Sequence, residues 1–279
     1  MEALEGFPGL PAVAANARDD SEADEEVVAM VGNAAQGGLE ERSRRELVQA
    51  LALQEQAVGI LGHDLRNPLS AIAALARGTM LWDDLPVELH GRLVQVDRAA
   101  QRSLALVDSL LDFTESRWRG TLPVRAVPSE PAAIAEQVVE EIRAANPGRV
   151  IAVEVRGRSP FTLDPVRIGQ VLSNLVSNAL AHGFSHTPVR VAIDVRDQEA
   201  LFAVENQGPV IPPERVASLF EPFTQGSGAQ ARGRGMERRQ GLGLGLYIVR
   251  IIAAAHGGTV TVESSADAGT TFLVRLPRR

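Results

Sequence analysis

The sequence predicts an α+β chain: an antiparallel helical hairpin that pairs with a second copy as a four-helix bundle, followed by a separate α/β sandwich. Three observations lead there. Apolar residues between Leu47 and Leu75 recur with a 4-3-4-3 spacing. A stretch bearing Gly120, Pro123 and Pro128 then interrupts the helical pattern. Beyond it, short alternating runs take turns with helical ones and finish in paired strands.

The first helical seam reads Leu47, Leu51, Gln54, Val58, Leu61, Leu65, Pro68, Ile72 and Leu75. Trp82 to Pro86 breaks it and reads as a short turn. A second helix follows, with Leu89, Leu93, Val96, Ala100, Val107 and Leu110 on one stripe. Two helices joined by so short a turn form an antiparallel hairpin. One hairpin cannot cover both stripes, whereas two can, so a homodimer is expected. Residues 119–128 read as a linker. After it, 130–145 read as helix, 149–155 as strand and 165–181 as helix. Strands are expected at 188–196 and 200–205, a helix at 243–256 and strands at 258–264 and 270–276, with helices on one face of the sheet. The domain expectation is therefore a disordered acidic leader over 1–38, the hairpin over 39–118, the linker, and the second domain over 129–279.

A chain of 279 residues accommodates two domains with a core each. It has no cysteine, which excludes disulfides, thiolate metal sites and a cysteine nucleophile. All 28 basic residues other than histidine are arginine, which excludes lysine-based catalysis. No apolar run reaches the roughly 18 residues of a membrane span, and no basic-then-apolar leader marks a signal peptide, so the cytoplasm is the expected location. The net charge of −7 is concentrated in the leader, where Glu2, Glu5, Asp19, Asp20, Glu22, Asp24, Glu25 and Glu26 face Arg18 alone. Such a segment is expected to be solvated.

Three motifs carry chemistry. The first is Gly62-His63-Asp64-Leu65-Arg66-Asn67-Pro68-Leu69. His63 falls two residues from Leu61 and two from Leu65, on the outward side of the seam, and Asn67 lies one turn further on the same face. Neutral imidazole is a nucleophile near pH 7. Asp64 can accept a hydrogen bond from one ring nitrogen and leave the other to attack, and Asn67 can orient a water. An exposed helical histidine beside an aspartate is usually mere surface. Pro68 is harder to dismiss, because a proline inside a strong helical pattern costs roughly 3 kcal/mol. The second motif places Asn174 and Asn178 one turn apart on a helix, with His182 a further turn on. Amide oxygens suit magnesium, but helix capping explains them equally well. The third is Gly241-Leu242-Gly243-Leu244-Gly245-Leu246, directly before an apolar helix. Glycines let backbone N–H groups approach phosphate at a helix N-terminus.

Taken in order, these motifs resemble the boxes of sensor histidine kinases of two-component systems. His63 to Leu69 resembles the phosphoacceptor box. Asp164 through Asn178 resembles the Asn box, Asn206 to Pro212 the first glycine box, Phe220 to Phe223 the phenylalanine box, and Gly241 to Leu246 the second glycine box. The resemblance covers roughly residues 45–276. It implies a Bergerat-type ATP-binding domain and autophosphorylation of His63, helped by Asp64 and Asn67. It implies ATP held by Asn174, Asn178, His182, Asn206, Gly208, Ile211, Phe223, Gly241, Gly243, Gly245 and Leu246, with Mg²⁺ on Asn178 and Asn174 beside it. It implies transfer of the phosphoryl group to an aspartate on a response-regulator receiver domain, with dephosphorylation of that regulator as a further role of Asp64 and Asn67.

The sequence departs from the pattern at three places. Asn206 stands where the family usually offers aspartate to the adenine amine. A neutral acceptor contributes about 0.5–1.5 kcal/mol where a charged one contributes about 1.5–3, so affinity up to roughly tenfold weaker is expected. Val210 stands where a second glycine is common, and valine avoids positive φ, so the loop must differ there. Ala181 stands at a frequent lysine position. Arg232, Arg234, Arg238 and Arg239, in the 224–240 segment expected to form a lid, are candidates to replace its charge. That Arg/Gly composition also fits nucleic-acid binding, but the segment is short and lacks stacking aromatics, so no nucleic-acid partner is expected. Residues 1–38 are too few and too polar for a sensor domain, which directs the input to a separate sensor protein, to the start of the first helix or to a region outside this sequence. Two alternatives stand beside the kinase: a non-catalytic or phosphatase-biased dimeric adaptor, and an ATPase or serine kinase of the same fold.

Overall fold

The computed structural model describes residue 59 and residues 62–224 and 242–278. The leader, the seam positions up to Leu61, the lid residues from 225 on and Gly241 lie outside the described residues.

Helix α1 spans 62–80 and continues through Pro68. A turn over 81–86 follows, in which Asp84 takes φ 65°, a conformation aspartate tolerates better than most side chains. Helix α2 spans Val87–Arg119, 33 residues or about 50 Å at 1.5 Å per residue. The two run antiparallel. Gly62 lies against Leu111, Arg66 Nε donates to Asp108 at 3.0 Å, and Arg77 lies 3.6 Å from Asp97. Within the hairpin the buried positions of α1 are Gly62, Ala73 and Ala76. The predicted seam faces away: Leu65, Ile72 and Leu75 are 50%, 45% and 71% exposed. On α2, Leu89, Val96 and Leu110 are exposed as well. On α1 the hairpin thus buries small residues and leaves Leu65, Ile72 and Leu75 outside.

The C-terminal part is a five-stranded sheet of order β2-β4-β5-β7-β6, with a short second sheet of β1 and β3. Its elements are β1 Val127–Ser129, α3 Pro131–Ala145, β2 Ile151–Arg156, β3 Phe161–Leu163, α4 Pro165–His182, β4 Val189–Val195, β5 Glu199–Asn206, α5 Pro213–Val216, α6 Gly245–Ala255, β6 Thr259–Ser265 and β7 Gly269–Pro277. β2 and β4 are parallel, which needs a crossover, supplied by β3 and α4. The other pairs are antiparallel. Strand alternation sets the core: Val189, Val191, Ile193 and Val195 of β4 turn inward with Phe272, Val274 and Leu276 of β7, while Arg190 and Arg275 face solvent. α3, α4 and α6 supply the other half through Val139, Ile168, Leu172, Leu175, Ile248 and Ile252.

The predicted helices and long strands lie within a few residues of their expected positions. β3 and α5 were not expected, because three or four residues show no period. α2 ends at Gly120 in the left-handed conformation, φ 69°. The stretch read as a linker is partly packed: Leu122 is 2% exposed in the core and the Arg125 N–H donates to Asp164 Oδ2 at 2.7 Å. Only Gly120 and Thr121 separate α2 from packed chain. Among the described residues, no helix is long and apolar enough to cross a membrane.

Candidate active site

His63 stands on the exposed face of α1, its side chain 70% exposed. Nδ1 lies 3.5 Å from Asp64 Oδ1 and 3.3 Å from Asn67 Nδ2. The two contacts make opposite demands. Asp64 accepts a proton from Nδ1, whereas an Asn67 N–H donates to a bare Nδ1. In the first tautomer the lone pair sits on Nε2. The outward placement of His63, Asp64 and Asn67 agrees with the sequence reading.

The second half of the site is a cleft of about 220 Å³ in the C-terminal domain. Its construction starts at α4. Asp164 caps this helix: Oδ1 accepts from the N–H groups of Val166 and Arg167 at 3.0 and 3.1 Å, and Oδ2 accepts from Arg125. The Asp164 N–H donates to His256 Nε2 at 3.0 Å, so Nδ1 of His256 carries the proton and donates to Ile252 O at 2.8 Å. These bonds tie the start of α4 to the end of α6. α4 in turn sets Asn174, Asn178 and His182 along one face.

Asn178, His182, Asn206, Ile211 and Leu246 line the cleft, as expected. Asn174 lies beneath it: its Nδ2 is buried without a hydrogen-bond partner, and a Cβ on Gly245 would stand 3.5 Å from its Oδ1. Gly208 closes the base of the loop, where a Cβ would come within 2.8 Å of His182 O. Gly243 takes φ +70° and packs on Thr224 O, so its bend requires glycine. Gly245 opens α6, whose N-cap residue Leu244 makes no side-chain capping bond. No side chain of the N-cap residue therefore occupies the first N–H groups of α6, which can serve an acceptor. Val210 lines the cleft and is not among the described residues of positive φ, in keeping with the expected change in the loop. Phe223 is not a lining residue. It adopts φ 61° and packs its ring edge-on against Phe113 of α2, centroids 5.1 Å apart.

The sequence reading missed several liners: Pro209, Pro212, Arg215, Leu219, Thr224, Thr270 and Phe272. Thr270 and Phe272 had a usable signal in the inward phase of β7. Pro209 and Pro212 fall inside the first glycine box and Thr224 opens the segment expected to form a lid, whereas Arg215 had no signal. Among the described residues the lining holds two basic side chains, His182 and Arg215, and no carboxylate. An orphaned amide, glycine cradles and an uncapped helix start fit the triphosphate end of a nucleotide, and the apolar wall of Val210, Ile211, Leu219, Leu246 and Phe272 fits a flat base.

A third cluster joins α2 to this domain. Asp112, 6% exposed, accepts from Arg167 Nη1 at 2.7 Å and from Gln170 Nε2 at 2.6 Å. The Ser116 hydroxyl meets the Tyr247 hydroxyl at 3.0 Å, and Phe113 packs on Tyr247 at 5.5 Å. No local pattern hints at these pairs, because their members lie more than 50 residues apart.

The fold and the site define a phosphoacceptor hairpin joined to a nucleotide-binding sandwich. The His Kinase A (phospho-acceptor) domain matches residues 53–117, and the histidine kinase-, DNA gyrase B- and HSP90-like ATPase matches residues 163–279. The chain belongs to the sensor histidine kinases of two-component systems. It is 34% identical over 227 residues to a bacteriophytochrome of Pseudomonas aeruginosa, covering 81% of this chain and 30% of that protein. It is 31% identical over 235 residues to the sensor protein CutS of Streptomyces coelicolor, covering 83% of this chain and 54% of CutS. The chain thus spans about a third to a half of these relatives. Among solved structures, full-length ShkA in complex with AMPPNP superposes with a TM-score of 0.59 at 26% identity, over 80% of this chain and 46% of ShkA.

Proposed function

We propose that the chain is an ATP-dependent protein histidine kinase that phosphorylates His63 and passes the phosphoryl group to an aspartate of a separate response-regulator receiver domain. The observation that carries this reading is an exposed imidazole with Nδ1 beside Asp64, in one chain with a cleft fitted to a nucleotide. ATP with Mg²⁺ supplies the γ-phosphoryl group. Asp64 holds the Nδ1 proton, which leaves the Nε2 lone pair pointing outward as nucleophile. Asn178 would hold the metal, with Asn174 beside it. Magnesium keeps its waters and phosphate oxygens and needs few protein ligands, which amide oxygens can supply. Gly243, Gly245 and the first N–H groups of α6 take the phosphates, helped by His182 and Arg215. The AMPPNP bound to ShkA supports the nucleotide assignment. The rate advantage comes from positioning and charge neutralisation.

The ATP-binding domain reaches His63 by bending at Gly120 and Thr121. The exposed seam of Leu65, Ile72, Leu75, Leu89, Val96 and Leu110 is the homodimer contact. In the reverse direction, Asn67 orients a water for dephosphorylation of the regulator. The reading requires a compartment that holds ATP, which is the cytoplasm, and an input from a separate sensor or a further region.

The test is incubation with γ-labelled ATP and Mg²⁺, comparing the natural chain with His63→Ala. Acid-labile, base-stable label that disappears in the variant is expected. Acid-stable label would point to serine phosphorylation instead. Asn206, Val210 and Ala181, which replace residues common at those positions, favour one other reading, a non-catalytic or phosphatase-biased dimeric adaptor. Its signature is absence of both label and measurable ATP binding.

A further inference from the structure

We propose that the cleft binds 6-oxopurine nucleoside triphosphates, GTP and ITP, alongside ATP, because the groups that meet the base edge both donate and accept. The inference rests on the nucleotide reading of the cleft and concerns its selectivity.

The cleft has an apolar wall of Val210, Ile211, Leu219, Leu246 and Phe272, which accepts a flat ring. The base edge is assigned to two of the polar liners, Asn206 and Thr270. They are register partners across β5 and β7 and turn to the same face, 5% and 4% exposed. An acceptor-only carboxylate at this edge reads one pattern: it takes the exocyclic amine of adenine and repels a carbonyl at the same carbon. Among the described residues the lining contains no carboxylate.

Asn206 carries a carboxamide, which presents an acceptor on one side and a donor on the other. No hydrogen bond among the described residues fixes which end faces the cleft. Gly183 and Gly208 pack beside its Nδ2, where a Cβ on either would stand 3.2 or 3.1 Å away, so glycine keeps room around the amide. A half-turn of the side-chain amide therefore exchanges Oδ1 for Nδ2 without breaking a bond to the protein.

Thr270 is ambivalent for a different reason. Its hydroxyl lies 2.8 Å from Ser264 Oγ, and either can be the donor. Ser264 Oγ also accepts from the Ile211 N–H at 3.0 Å, which leaves its own proton free to be given or withheld. When Ser264 donates, the Thr270 proton is available to the cleft. When Thr270 donates, its lone pair is.

Adenine offers an amine at C6 and a lone pair at N1. Guanine and hypoxanthine offer a carbonyl at C6 and a proton at N1. The first pattern matches Asn206 Oδ1 with Thr270 as donor, and the second matches Asn206 Nδ2 with Thr270 as acceptor. Both use neutral hydrogen bonds of similar strength, so the two base classes bind within about tenfold of each other.

The experiment measures equilibrium displacement of a fluorescent ATP analogue from the full chain with Mg²⁺, by ATP, ITP and GTP, for the natural protein and for Asn206→Asp. Displacement by ITP or GTP within about tenfold of ATP is expected. In Asn206→Asp the ratio should move toward ATP by at least about tenfold, because a carboxylate cannot donate. Displacement by ATP with neither ITP nor GTP competing at hundredfold excess would overturn the proposal and leave the nucleotide reading intact. An unchanged ratio in Asn206→Asp would equally overturn it. Failure of all three nucleotides to bind would remove the nucleotide reading itself.

Discussion

Replacing Asp164 should loosen the ATP-binding domain by an amount set by three hydrogen bonds. Its side chain is buried and accepts from Val166, Arg167 and Arg125. Loss of an N-cap costs about 1 kcal/mol, within a range of 0.5–2. Loss of the bond from Arg125 to an ionised acceptor adds about 1.5–3 kcal/mol. Asp164→Ala should therefore destabilise by about 2–4 kcal/mol, which for a domain of roughly 150 residues lowers Tm by about 5–15 °C. Asp164→Asn keeps one oxygen for the cap and loses the charged acceptor, so about half of that loss is expected. The backbone N–H of residue 164 keeps its bond to His256 in both variants. Urea unfolding followed by circular dichroism measures both values, with the denaturant slope as a check that the unfolded state is unchanged. A loss below about 0.5 kcal/mol for the alanine variant, or equal losses for the two, would refute the assignment of Asp164 as the clamp of α4.

Three further outcomes follow from named contacts. Gly243→Ala and Gly120→Ala share a positive φ of about 70°, but a Cβ on Gly243 would meet Thr224 O at 2.8 Å while one on Gly120 meets nothing within 4 Å. Both should lose about 1–2 kcal/mol to backbone strain. Only the first should weaken nucleotide affinity as well, and equal affinities in a titration would contradict the cradle. Ile72→Glu with Leu75→Glu should leave each hairpin folded, because both side chains point outward, yet give a monomer by sedimentation. A dimer that persists would move the interface elsewhere. Asp112→Ala and Arg167→Ala should couple by about 0.5–3 kcal/mol in a double-mutant cycle of unfolding free energy. Additive losses would show that the pair does not hold α2 to the ATP-binding domain.

Much of this molecule is local and therefore legible in a single sequence. The 4-3-4-3 spacing announced a helix over α1, whose described part carries His63 on an exposed face. Period-two runs located β4, β5, β6 and β7. The glycines before α6 and the asparagines of α4 announced the cleft, since their spacing along one element equals their spacing in space. What failed to show was non-local. β3 is three residues long and exists only because it pairs with β1. Leu122 and Arg125 lie in a stretch whose composition reads as linker, yet the sandwich buries one and binds the other. Phe223 reads as part of a nucleotide motif, but its ring spends its area on Phe113.

The same division holds for function. The order of the motifs along the chain pointed to the family, because residue types and helical spacing are properties of sequence alone. Tertiary structure decided which groups meet. It alone brought Asp112 to Arg167, His256 to Asp164 and Thr270 alongside Asn206, since such pairs depend on strand register and helix docking, and no spacing along the chain encodes a distance across it.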